Sequence, residues 1–313
     1  MYKYLFFIAI KLIFQKIIGL LHLVGVQEFL KEKIFKRVIA PRSLLNKKLK
    51  TKLETLKLLN MPITGTVVEQ GTGWHGQDCM LFILLGAKKV FSYDTTKWLN
   101  SNLVAEATLS LIENSDDIFL SSSLSYEEFK IKIEILKNYD GKNINEFFNL
   151  LGISTYEDKN FNFEKVPADS VQLFYTDSVL QRMTPDDLTD MFKSMKPKMI
   201  NDSKNLHLVD CKDFHSIDTN SIPELAYLLV NSFWLKIIYS KYLNYQNQLR
   251  IDDYLKIFLD YGHKISFHNK LVEDKNIEFV KNNPSILSKY PKYNIEAIAT
   301  SKFTVIFDNH SMQ

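Results

Sequence analysis

The stretch Thr66-Val67-Val68-Glu69-Gln70-Gly71-Thr72-Gly73-Trp74-His75-Gly76, followed by Gln77 to Leu85 and then Gly86, decides the fold. Residues 66–70 are a short apolar run of strand type, 71–76 a glycine turn, and 77–85 an apolar helix stopped by Gly86. A second strand is predicted over 89–93, ending in Asp94, which stands 21 residues beyond Gly73. Strand, glycine turn, helix and strand form the opening unit of a parallel α/β sheet. Its glycines let a ligand approach the backbone, and a carboxylate at the end of the second strand can accept both hydroxyl protons of a ribose.

Gly71-x-Gly73-x-x-Gly76 also satisfies the dinucleotide fingerprint, so an NAD-dependent oxidoreductase is the alternative reading. Glu69 opposes it. A pyrophosphate at a helix N-terminus is repelled by a carboxylate two residues before the first glycine, whereas a ligand carrying an ammonium group is attracted. For Glu69 and Asp94 the plainer alternative is a capping or turn carboxylate.

The motif Glu69-Gln70-Gly71-Thr72-Gly73 resembles the first motif of the class I S-adenosylmethionine-dependent methyltransferases. Trp74-His75 and the segment 85–90 (LGAKKV) are similar to the branch of that family reading GTGWHG. Residues 170–182 (SVQLFYTDSVLQR) resemble its fourth strand and following turn, with Gln172 where the family has Asp and Arg182 where it has His. Lys196-Pro197-Lys198 stands in place of a K-P-G-G turn, and Asn247-Gln248-Leu249-Arg250 resembles an N-R-L-R element. The resemblance spans residues 62–308 and implies a Rossmann-like, seven-stranded, mostly parallel sheet with an antiparallel strand at its end. Helical insertions and an N-terminal helical arm are expected around it.

By this resemblance the cofactor is S-adenosyl-L-methionine, held by Glu69, Gly71, Thr72, Gly73, Trp74, Asp94, Asp158 and Thr176. Asp158, preferred over Glu157, follows a third strand predicted over 153–156. Further strands are predicted over 206–210, 263–267 and 302–308, the last two as an edge pair, and helices over 126–138, 144–151, 187–195 and 223–240. The insertion at about 115–150 is expected to be either a lid or an outer decoration. Asp177, Asp213 and His215 are the candidate bases for a hydroxyl or amine acceptor. Arg250 is read either as a clamp for an anionic substrate group or as a helix cap paired with Asp252 or Asp253.

Residues 1–60 read as a separate amphipathic basic arm on a domain formed by 61–313. They hold 13 Lys or Arg against Glu28, Glu32 and Glu54, while the remainder of the chain is acidic. Lys3, Lys11, Gln15 and His22 fall on one helical face opposite Leu, Ile and Phe. A polybasic segment follows from Lys31 to Lys57. Apolar insertion with a basic patch suits docking on an anionic membrane surface; packing of the helix on the body is the alternative. Lys11, Gln15 and Lys16 interrupt the apolar run, which disfavours a conventional transmembrane helix, and Lys11 argues against a cleaved signal. No nucleic-acid-binding module is present. Isolated Cys79 and Cys211 encode neither a disulfide framework nor a zinc site, and no metal is expected. The expected location is cytoplasmic, on the inner face of a membrane if the arm docks. The acceptor is a glycan, lipid or small molecule, and a non-catalytic membrane-docked module retaining the fold is the remaining alternative.

Overall fold

The computed structural model describes residues 41–217, 222–230, 245–261 and 264–309. Pro41, which has no amide to leave unpaired, starts α1 (Arg42–Lys57). Leu45, Leu49, Leu53 and Leu56 recur at helical spacing on its buried face. Each contributes roughly 2 kcal/mol of apolar burial against the body, and Arg42 pairs with Glu106 at 3.0 Å and Glu113 at 2.8 Å. Residues 42–57 therefore belong to the body, which moves the arm's boundary back from 60. The amphipathic helix expected over the first residues lies outside the described residues.

The chain continues through β1 (Thr66–Gln70), α2 (Gln77–Leu85), β2 (Lys89–Asp94), α3 (Ser101–Glu113), α4 (Ser115–Phe119), α5 (Tyr126–Lys137), α6 (Ile144–Leu151) and β3 (Ile153–Glu157). Then come β4 (Val171–Asp177), α7 (Pro185–Met195), β5 (Met199–Asp210), α8 (Ile251–Asp260) and β6 (Lys264–Val272). The last elements are α9 (Asp274–Lys281), α10 (Pro284–Lys289), α11 (Ile295–Ala299) and β7 (Thr300–Asp308). The strands form one seven-stranded sheet in the order β3-β2-β1-β4-β5-β7-β6, parallel from β3 to β5, with β7 antiparallel to both of its neighbours. This is the Rossmann-like α/β architecture the sequence implied. Of the expected edge pair, β6 lies at the edge and β7 inside it.

Residues alternate between the sheet's two faces. Val67, Val90, Leu173 and Tyr175 face a core built with α1 to α6. Val68, Tyr93, Phe174 and Val209 face a second core with α7 and α8. The inserted helices α5 and α6 bury Phe129, Ile133, Leu136, Phe147, Phe148 and Leu151 in the first core. They are a structural layer, and a Cβ on Gly76 would meet the Phe148 ring at 2.7 Å. Ser125 with Glu128, and Thr184 with Asp187, form the capping boxes that start α5 and α7.

Two expectations are corrected. β5 starts at Met199, seven residues before the expected point, across a shift of register against β4. The predicted helix over 223–240 is, in its described part, a 3-10 turn at Ala226–Leu229; its rest lies outside the described residues. Gln248 Nε2 takes the Tyr227 and Val230 carbonyls at 2.7 and 2.9 Å, which a continuing α-helix would have used. No helix among the described residues is long and apolar enough to cross a membrane.

Candidate functional site

The parallel register sets Glu69 of β1 beside Ser92 of β2 and Tyr175 of β4. Paired residues of neighbouring strands share a face, and the next residues on that face are Asp94 and Asp177, each at its strand's last position. Asp78 reaches the same place from the first turn of α2, and Lys52 from α1. Lys52 lies within the buried leucine stripe of α1, so its ammonium can be sequestered there only against anions.

Its anions are Asp78, both of whose oxygens it contacts, and Asp177, at 3.1 Å. The Lys52 side chain is 13% exposed. Burial works against its charge, but the two carboxylates outweigh that and hold the ammonium above its ordinary value. Tyr175 Oη donates to Asp78 at 3.1 Å. Burial works to raise the Asp177 carboxyl, and Lys52 and the Ser178 hydroxyl outweigh it, leaving it below its ordinary value. Glu69 behaves oppositely. Its burial, together with Asp78, pushes its carboxyl up to about 8, against the Ser92 hydroxyl and Lys52. Burial thus disfavours the ionised form of Glu69, and the carboxylates that contact Lys52 are those of Asp78 and Asp177.

Above this cluster the glycine turn is tied down at every step. Gly71 N and Thr72 N donate to the Tyr93 carbonyl at 2.7 and 3.2 Å, and Thr72 Oγ1 meets Ser92 Oγ at 2.6 Å. Ser92 in turn donates to Glu69. Gly73 N donates to Asp94 Oδ2 at 3.0 Å. Burial raises the Asp94 carboxyl, and hydrogen bonds from Gly73, Thr95, Thr96 and Trp98 oppose this. Gly71, at φ +105, has Val179 against it, whereas the space in front of Gly73, at φ +63, is open to 4 Å. The two glycines thus differ: Gly71 admits Val179, and Gly73 faces open space.

Trp74 packs on Trp98 with ring centroids 4.8 Å apart. His75 has no partner for Nε2 among the described residues. Burial and the nearby Lys48 and Lys52 lower its imidazole to about 4, so it is neutral.

The remaining predicted residues are placed elsewhere or otherwise engaged. Thr176 faces the second core, bonded to His207 Nδ1 at 2.9 Å, so its side chain is turned from the glycine turn. Asp158 lies beside Asp94, whose carbonyl accepts its amide at 2.9 Å, but its carboxylate accepts the amides of Asn160, Asn162 and Phe163. It organises its own loop. Asp177, an expected base, is a counterion of Lys52 with depressed basicity. Asp213 is fully buried beyond β5, where burial removes it from contact with an acceptor. His215 lies in a 3-10 turn at Phe214–Ile217, and its side chain lies outside the described residues.

Asn247 to Arg250 form a clasp. Asn247 Nδ2 donates to the Leu180 and Met183 carbonyls at 2.9 and 2.8 Å. The buried Arg250 guanidinium donates to Tyr227 Oη at 2.7 Å and to the Thr300 carbonyl. Gln172 accepts the Thr64 and Gly65 amides at 2.9 and 2.6 Å and donates to the Pro62 carbonyl at 3.0 Å, fastening the chain just before β1. Arg182 stacks over the Phe214 ring at 4.5 Å.

Sequence reasoning missed Lys52, Asp78, Tyr175 and Ser92. A signal existed for Lys52, which interrupts the leucine stripe of α1, and for Tyr175 and Asp177, which share a face by strand alternation. Asp78 was hidden because an acid in a helix's first turn is an ordinary feature.

No family model matches the chain, and no curated protein matches it in sequence. Among solved structures it is similar to an S-adenosylmethionine dependent methyltransferase from Mesorhizobium loti, at 12% identity over 81% of this chain and 95% of that one, with a TM-score of 0.44. It is also similar to a geranyl diphosphate C-methyltransferase from Streptomyces coelicolor A3(2), at 11% identity over 83% of this chain and 79% of that one, with a TM-score of 0.45.

Proposed function

We propose that the protein is an S-adenosylmethionine-dependent methyltransferase acting on a glycan, lipid or small-molecule acceptor. The observation that carries this is the charge set beneath the glycine turn: the carboxylates of Asp78 and Asp177 stand against the single ammonium of Lys52. The ammonium of an adenosyl amino acid can pair with these carboxylates, whereas the diphosphate of NAD would face them, with Asp78 in the first turn of the very helix that would have to receive it. The residues fit an adenosyl amino acid. Asp94 stands at the end of β2, where ribose hydroxyls bind, and the space in front of Gly73 is open.

When bound, S-adenosylmethionine supplies an electrophilic methyl group and a leaving group that departs uncharged. The protein's task is therefore to hold the acceptor on the methyl axis and to exclude water more than to move protons. The rigid clasp of Asn247 to Arg250 and the pinned glycine turn suit that task. Calorimetry with S-adenosylmethionine, S-adenosylhomocysteine and NAD tests the reading: heat with the adenosyl amino acids and none with NAD supports it, and the reverse overturns it.

For docking on an anionic membrane the available cations are those of residues 1–40 with the exposed Lys47, Lys48, Lys50 and Lys57 of α1, since Lys52 is engaged inside. Flotation of the full chain with vesicles containing anionic lipid is expected, and equal flotation of a chain starting at residue 41 would remove the arm's role.

A further inference from the structure

Lys52 sits on α1, outside the sheet, yet its ammonium reaches the ends of β1 and β4. There it contacts both oxygens of Asp78 and lies 3.1 Å from Asp177. Breaking a buried pair by removing one partner leaves an uncompensated charge, so a cation alone cannot cheaply displace Lys52, nor an anion its carboxylates. A zwitterion can do both at once. An amino-acid end brings an ammonium for the carboxylates and a carboxylate for the lysine, and the number of opposed charges is kept at every stage.

The chemistry of the neighbours agrees. Tyr175 donates to Asp78 and Ser178 to Asp177, so each carboxylate keeps a hydrogen-bond donor when its cation is exchanged, while the lysine stem can swing through its rotatable bonds. The Lys52 side chain is not sealed in: 13% of it is exposed, and 27% of the Asp177 side chain, which gives the exchange a way in from solvent.

We infer that Lys52 is the specificity residue for the amino-acid end of the ligand: its ion pair with Asp78 and Asp177 opens around the zwitterion, the ligand's ammonium passing to the two carboxylates and its carboxylate to Lys52. This rests on the adenosyl-ligand reading and deepens it. No covalent bond changes, and no proton is required to move.

The test compares S-adenosylhomocysteine with 5′-methylthioadenosine, which keeps the adenosyl thioether and lacks the amino acid, by calorimetry on the full chain. Lys52→Met is expected to weaken S-adenosylhomocysteine about 100-fold, the worth of a charge-assisted pair in a buried site, and to leave methylthioadenosine within about twofold. Lys52→Arg, which keeps the charge and guards against loss of folding in the first variant, is expected to retain most of the preference. Unchanged or tighter binding of S-adenosylhomocysteine by Lys52→Met would overturn the inference by showing that the lysine competes with the ligand. Equal weakening of both ligands would overturn it by showing a structural role. A wild-type chain that binds neither ligand would instead remove the methyltransferase reading beneath it.

Discussion

Replacing Glu69 by Gln should flatten the pH dependence of stability on the alkaline side. Glu69 is 2% exposed, and burial with the neighbouring Asp78 pushes its carboxyl from 4.5 up to about 8. The folded protein therefore binds this proton more tightly than the unfolded chain. The resulting stabilisation is complete below the unfolded value and is lost as pH rises through the folded one. At about pH 6 the folded group still lies two pH units below its midpoint, and each unit is worth roughly 1.4 kcal/mol. Wild type should lose about 3 kcal/mol between about pH 6 and pH 9 relative to Glu69→Gln. The Gln side chain keeps the shape and an acceptor for Ser92, so the difference isolates the proton. Urea unfolding of both chains at the two pH values measures it, with every other titrating group common to both. Parallel losses in wild type and variant would refute the reasoning, since they would mean that Glu69 is ionised in the fold throughout this range.

Asp94→Ala removes the proposed acceptor for the ribose hydroxyls and should weaken S-adenosylhomocysteine by about 10- to 100-fold, the scale of hydrogen bonds to a charged group; unchanged affinity in calorimetry would place the ribose elsewhere. Gly71→Ala puts a Cβ 2.2 Å from Val179 at a backbone φ of +105 and should cost about 2 to 4 kcal/mol in urea unfolding. Adding Val179→Ala should recover only part of that cost, because the backbone strain remains, and full recovery would contradict it. Arg250→Met strands the Tyr227 hydroxyl and the Thr300 carbonyl and should cost about 3 kcal/mol. Arg250→Lys should not rescue it, since a single ammonium cannot span both acceptors; full rescue would mean that only the charge matters.

Local signals made the sheet legible. Residues 66–70 and 77–85 match β1 and α2 at both ends because Gly71 and Gly86 punctuate them, and glycine in a positive-φ turn leaves little ambiguity. The polar run Asn201-Asp202-Ser203 hid the first half of β5: it bulges out between Met199 and Lys204, which pair with Val171 and Leu173 of β4, and Asp202 takes a positive φ of 62. The basic residues of α1 masked its leucine stripe, so a segment read as the polybasic part of an arm contributes Leu49, Leu53 and Leu56 to the first core. The site was half visible. Glu69, Gly71, Gly73 and Asp94 lie on one continuous motif, whereas Lys52, Asp78 and Asp177 meet only through the fold. The sequence placed the anion on Glu69, whereas the carboxylates that meet Lys52 in the fold are those of Asp78 and Asp177.

The most direct measurement of the central claim is a crystal structure with S-adenosylhomocysteine. The account predicts the ligand's ammonium between Asp78 and Asp177, its carboxylate on Lys52, and its ribose hydroxyls on Asp94. An amino-acid end lying away from those carboxylates, with the Lys52 ion pair intact and the ribose remote from Asp94, would contradict it.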